Sequence, residues 1–305
     1  MIYAIRHRTT YSYAKSVPFA RCALRLALAE GADQRVTAPT LELTPKPERM
    51  AHHIGQFGEQ VVTATIDTPH REMIVLATAR VDVRRPALPQ PLVGPSWESV
   101  RAAAFASSTL AVGAAAHALY PTAMTPIEPA ISTYAAAAFL PGRPILEAAF
   151  DLASRIKADF AYDPEATEVS TPAIEAFTAR HGVCQDFAHI MIAGLRGLGL
   201  PAAYVSGYIR TRPPPGRPRL QGADATHAWV SLWCGPALGW IGFDPTNALL
   251  VANEHIVLAV GRDYADIAPI GGIILGPGQQ KIKVAVDVVP IEEEGLFGAA
   301  PPQRK

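Results

Sequence analysis

Over roughly the first 85 residues apolar and polar positions alternate with period two. Tyr3, Ile5 and His7 interleave with Ile2, Ala4 and Arg6. Similar short runs recur at 41–43, 60–66 and 73–81, separated by turn signals such as Phe57-Gly58 and Thr68-Pro69. Strands of this length, punctuated in this way, predict an antiparallel sandwich or barrel. A proline-rich stretch at 85–95 then breaks regular structure and reads as a linker. Residues 97–160 are alanine-rich and predict helices, 145–159 among them. In the next helix, 184–198, Phe187, Met191, Leu195 and Leu198 recur at helical spacing, with Gly199 and Pro201 as stop signals. Residues 202–209, 227–233, 240–244 and 281–290 read as strands. The expected class is α+β, with a β-rich region at 1–90, a mixed region at 91–295 and a flexible tail at 296–305.

Composition narrows the function classes. Lys plus Arg number 27, as do Asp plus Glu, so the net charge is zero, which argues against a general nucleic-acid surface. The 49% apolar content of the 305 residues is too high for a disordered chain. No apolar run is long and unbroken enough to span a bilayer, and the N-terminus lacks the pattern of a signal peptide, so a cytoplasmic protein without membrane contact is expected. The three cysteines, Cys22, Cys184 and Cys234, form no CxxC pair, which excludes a zinc ribbon. His52 and His53 have no partner at ligand spacing, and no metal site is expected there.

Cys184 stands apart from the other two thiols. It falls at the start of the 184–198 helix, where Gly182 allows a sharp turn. Unpaired backbone N–H groups at a helix start favour a thiolate and can hold an oxyanion. Such a sulfur needs a base. His189 lies five residues along the same helix, about 140° around the axis, and is expected to pack locally. His181 precedes the turn with nothing to orient it. The better candidate is His227, in two strands joined near Gly235-Pro236. A hairpin centred on that pair places His227 opposite Asp244, the arrangement in which a carboxylate orients an imidazole. A slip of one residue would undo it.

The stretches Gly182-Val-Cys-Gln-Asp-Phe-Ala-His189, Leu198-Gly-Leu-Pro-Ala-Ala-Tyr-Val-Ser-Gly-Tyr208, Asp224-Ala-Thr-His-Ala-Trp229, Gly239-Trp-Ile-Gly-Phe-Asp-Pro-Thr-Asn247 and Gly261-Arg-Asp-Tyr-Ala-Asp266 resemble the bacterial transglutaminase-like proteins, a branch of the papain-like cysteine-nucleophile superfamily. His7 with Thr10-Tyr-Ser-Tyr13 resembles their β-rich N-terminal domain. The resemblance implies a papain-like transglutaminase core, with the Cys-bearing helix packed on an antiparallel sheet. It assigns Cys184 as nucleophile, His227 as base and acid, and Asp244 as orienter. Animal crosslinking transglutaminases carry a Trp after the nucleophile, where this chain has Gln185. The chain also shows no DxDxDG-type calcium loop, so neither crosslinking nor calcium dependence is carried over, and no cofactor is expected.

The expected function is that of a Cys-His-Asp hydrolase or acyltransferase. It would be a cysteine protease, amidase or transferase acting on a peptide or amide substrate through a thioester. The expected oxyanion donors are the Cys184 N–H and a second group, with Gln185 and Trp229 as candidates. Trp229, Trp233 and Trp240 also read as ordinary strand packing, and Asp186 as a structural residue in the first helical turn. The basic, proline-rich segment at 211–222 is a candidate border of the cleft. Two other readings compete: a binding or assembly module that keeps the fold without turnover, and a metal site made of Cys184, His227 and Asp244. The metal reading lacks a clearly spaced fourth ligand.

Overall fold

The computed structural model of the chain describes residues 1–88, 90–109, 111–211, 222, 224, 226–276 and 279–291. The N-terminal alternation becomes six strands: β1 (Ile2–Val17), β2 (Phe19–Leu24), β3 (Gln34–Thr44), β4 (Arg49–Ile54), β5 (Gln60–Ile66) and β6 (His70–Val83). On β1 every odd position from Tyr3 to Tyr13 is buried, as period-two geometry requires of a strand with one inner face.

The middle of the chain is helical: α1 (Trp97–Phe105), α2 (Pro129–Ala136), α3 (Ile145–Asp159), α4 (Ala173–Ala179) and α5 (Cys184–Gly197). Ser96 caps α1 by accepting from the Ser99 N–H. Two short parallel strands, β7 (Ala161–Tyr162) and β8 (His181–Gly182), steer the chain into α5. Then come β9 (Ala202–Ile209), β10 (Thr226–Trp233), β11 (Trp240–Asp244), β12 (Leu249–Leu250) and β13 (His255–Gly261). The short helix α6 (Tyr264–Ile267) and two last strands, β14 (Ile270–Leu275) and β15 (Gln280–Pro290), complete the order.

Strands β9 to β13 form one antiparallel sheet in the order β12-β11-β10-β9-β13. Two four-stranded sheets, β15-β1-β6-β3 and β14-β2-β5-β4, make the N-terminal sandwich and share one hydrophobic cluster. The last two strands therefore return to the first region. β15 pairs with β1 from Tyr3↔Pro290 to Tyr13↔Gln280, and β14 pairs with β2. Residues 270–275 and 280–290, grouped by sequence with the second region, lie in the sandwich sheets. Tyr208, Ile256 and Leu258 of the central sheet join the sandwich cluster, so the two regions share a core face.

α5 is buried on nearly all sides: every residue from Gln185 to Arg196 is inside. A helix buried around its whole girth belongs in a core, and here it packs with α2, α3, α4 and the central sheet. Arg196 is its one buried cation. Its guanidinium donates to the carbonyls of Ala118, Ala202 and Arg262 and to the Thr125 hydroxyl. Among the described residues no helix is long and apolar enough to cross a membrane. Most of the 211–222 segment and the whole 296–305 tail lie outside the described residues.

Candidate active site

The approach to Cys184 is built by three successive devices. Arg180 ends α4 in the left-handed conformation, with φ of 60°, and redirects the chain. His181–Gly182 then runs as β8, Val183 is extended, and α5 begins at Cys184. The Asp186 carboxylate folds back to accept the Val183 N–H at 2.8 Å and the Thr167 hydroxyl at 2.6 Å. That fold explains Gly182: a Cβ there would lie 2.7 Å from Asp186 Oδ2. The glycine is needed for close approach rather than for a sharp turn. Cys184 is half-buried, whereas Cys22 and Cys234 are fully inside.

His227 stands near the start of β10 and Asp244 at the end of β11. The observed register pairs Val230 with Phe243 and Trp233 with Trp240. It is offset by two residues from the register expected of a turn centred on Gly235-Pro236. The loop explains the offset: it takes in residues 234–239, closed by the Cys234 N–H donating to Gly239 O at 2.7 Å. A two-residue offset preserves the face, so His227 and Asp244 become diagonal rather than direct neighbours and still meet. The His227 Nε2–H donates to Asp244 Oδ2 at 2.8 Å. Cys184 lines the same cleft as this imidazole, close enough for the sulfur to influence the ring's charge state.

Asp244 is fully buried, and its carboxylate is heavily supported. Oδ1 accepts the backbone N–H groups of Thr246 at 2.9 Å and Asn247 at 3.2 Å. Oδ2 accepts from the Asn247 side chain at 2.8 Å and from His255 Nε2 at 3.2 Å, besides His227. Burial pushes the carboxyl up, but these hydrogen bonds and the His227 charge overcome it and hold it well below the usual carboxylate range. Burial likewise pulls His227 down, yet hydrogen bonds and charge from Asp244 and Cys184 raise it to about 9. The group is therefore an imidazolium at neutral pH.

His255 and Asn247 received no role in the sequence reading. Asn247 lies three residues beyond Asp244, in a turn where its own N–H reaches back to the carboxylate. His255 could be found only from register. His227 and Val257 both pair with Gly207, which puts His255, two residues from Val257, on the His227 face of the sheet. Ligand atoms of His227, Asp244 and His255 lie within 4.8 Å of one another, as in a metal site, but both imidazoles donate to the same carboxylate oxygen and hydrogen bonding accounts for the grouping.

The remaining candidates fall into place around this core. Trp229 is 1% exposed and packs on His227 and His255, with ring centroids at 6.1 and 5.3 Å. Its indole fits because Gly207 has no side chain; a Cβ there would lie 2.4 Å from the ring. Trp229 thus backs the imidazoles and is not part of the cleft lining. Gln185 does line the cleft, and its side-chain amide donates to Val169 O at 2.8 Å. His189 is buried, pulled down to about 4 by burial, and accepts the Tyr264 N–H at 3.3 Å. His181 is half-exposed and 3.9 Å from Asp163. Asp224, just upstream of His227, accepts the N–H groups of Thr211 and Val288 and ties β15 to this end of the central sheet.

Cys184 and His227 open onto a cleft of about 540 Å³. One wall comes from the central sheet and the α5 start. The other comes from the sandwich, through His7, Thr9 and Tyr11 of β1 with Ile282 and Val284 of β15.

Comparison with known proteins agrees with this layout. Residues 133–245 match the model of the transglutaminase-like superfamily, and residues 3–82 that of the bacterial transglutaminase-like N-terminal region. An uncharacterized protein of Mycobacterium tuberculosis is 40% identical over 303 residues, covering 96% of this chain and 94% of its own. A protein-glutamine gamma-glutamyltransferase of Pseudomonas aeruginosa is 34% identical over 125 residues, 36% of this chain and 18% of that one. A crystal structure described as a "Putative Cysteine Protease from Cytophaga hutchinsonii" superposes with a TM-score of 0.71 at 22% identity, over 95% of this chain and 91% of that one, and shares the fold. With both of its characteristic regions matched in order, the chain belongs to the bacterial transglutaminase-like family.

Proposed function

We propose that the protein is a cysteine-dependent amide-bond enzyme, a peptidase, amidase or acyltransferase, with Cys184 as nucleophile, His227 as acid and base, and Asp244 as the group that orients His227. The observation that carries this reading is the convergence on one cleft of Cys184, at a helix start, and His227, hydrogen-bonded to the buried Asp244. The Cys184 sulfur attacks an amide carbonyl as the thiolate, its proton held on the His227 imidazolium, and a tetrahedral oxyanion forms. The Cys184 and Gln185 N–H groups have no acceptor within the helix and are available to that oxygen. His227 gives its proton to the leaving amine, and a thioester remains. Water or a second amine, deprotonated by His227, then releases the acyl group.

Alkylation by iodoacetamide at pH 7 tests the nucleophile directly. Cys184 should react rapidly while Cys22 and Cys234 stay silent, and His227→Ala should slow Cys184 by about 10²-fold or more, the usual worth of a positioned acid–base group. Slow labelling of Cys184 that ignores His227 would instead support a module that keeps the fold without turnover.

A further inference from the structure

The wall of the cleft that faces the nucleophile belongs to the sandwich, and its composition is specific. β1 and β15 run antiparallel in register there, with Tyr11 opposite Ile282 and Thr9 opposite Val284. Directly opposed residues share a face, so these four side chains form two successive rungs of one platform, spaced about 7 Å along the strands. Ile282 and Val284 are 50% and 47% exposed. Across the cleft Tyr162 and Val169 are 52% and 55% exposed. Four exposed large hydrophobic residues thus rim a site whose floor holds the nucleophile, and such a patch marks a binding surface. Tyr204, Tyr264 and Ile270 continue the lining inward. Burial pushes the phenols of Tyr11, Tyr162, Tyr204 and Tyr264 above their ordinary value, so all four are neutral hydroxyls.

We infer that the cleft takes a neutral acyl donor, a peptide or amide carrying an aromatic or aliphatic side chain beside the scissile carbonyl, and that the sandwich selects it. This inference rests on the cysteine-enzyme reading above. An apolar side chain covers the exposed Ile282, Val284, Tyr162 and Val169. A carboxylate or ammonium placed on the same platform loses hydration against aliphatic and phenolic groups. The two rungs match the side-chain repeat of an extended peptide, which also places alternate residues about 7 Å apart.

Acetylated chloromethyl ketones of phenylalanine, glutamate and lysine test the inference, with mass spectrometry reading Cys184. In each case the sulfur displaces chloride and a stable thioether forms. Each second-order rate is divided by the iodoacetamide rate of the same protein. In the wild type the phenylalanine reagent should lead both charged reagents by tenfold or more. Ile282→Lys should cut that lead and raise the glutamate reagent relative to the lysine one, whereas Ile282→Glu should do the reverse. Equal normalised rates for the three reagents, or a preference unmoved by either substitution at this exposed position, overturn the inference. His227-independent iodoacetamide labelling is a separate outcome: it removes the enzyme reading and the inference with it.

Discussion

Two buried histidines stand on opposite walls of the same cleft and behave in opposite ways. His7 on the sandwich wall is 2% exposed, and His227 on the sheet wall 7%. Burial pulls both imidazoles toward neutrality. His7 meets only hydroxyls, Tyr208 at 2.8 Å on Nδ1 and Thr9 at 3.0 Å on Nε2, and falls to about 4. His227 meets the Asp244 carboxylate and the Cys184 thiol, and rises to about 9. Burial alone therefore does not make a base or an acid of a histidine. The charge of the partner decides the sign, and the cleft has one imidazole of each kind.

The sharpest way to break this contrast is to make the partners alike. Asp244→Asn removes the charge and leaves His227 with burial and a neutral amide. Its value should fall below the ordinary 6.5, and turnover or alkylation of Cys184 at neutral pH should drop by about 10³-fold, roughly 4 kcal/mol. Stopped-flow alkylation checks this, with circular dichroism confirming the fold.

A second comparison uses stability at the two ends of the pH range. The raised His227 contributes stabilisation that is fully present below its unfolded value of 6.5 and is lost as pH rises through about 9. The depressed His7 works the other way: its contribution is present above 6.5 and is lost as pH falls through about 4. The gap corresponds to about 3 kcal/mol. Urea unfolding of His7→Gln should therefore lose about 3 kcal/mol less than the wild type between pH 7 and pH 4. His189, also depressed to about 4, contributes its own acid-side loss to both proteins.

The smallest expected effect concerns His255, the second imidazole on Asp244. His255→Leu removes one hydrogen bond from a charged oxygen, worth about 1.5 kcal/mol, and should slow Cys184 alkylation about tenfold. His255→Gln keeps a donor at that position and should restore most of the rate. Rescue by glutamine separates support of the carboxylate from mere packing against Trp229.

How much of this was legible in the sequence follows from range. The alternation on β1 and the 3.6-residue period on α5 are local, and both elements stand where the pattern put them. The meeting of His227 and Asp244 was also legible, for a reason partly independent of the register assumed. The hairpin is offset by two residues, and an even offset keeps both side chains on one face. What stayed hidden depends on long-range pairing. Nothing local in residues 280–290 says that they pair with β1, so the sandwich wall of the cleft could not be drawn. His255 lies in a stretch the sequence reading assigned to no element, and its partner Asp244 is on β11, three strands away from β13 in the sheet order. Gly182 was read as allowing a sharp turn, while its real constraint is the Asp186 side chain folding back on it.

The protonation state of the His227 ring is the most direct test of the account. A nuclear magnetic resonance titration of the imidazole nitrogens in the wild-type protein should find both protonated through neutral pH, with release near pH 9. A ring that is already neutral at pH 7, like that of His7, would contradict the imidazolium–carboxylate pairing on which the proposed chemistry rests.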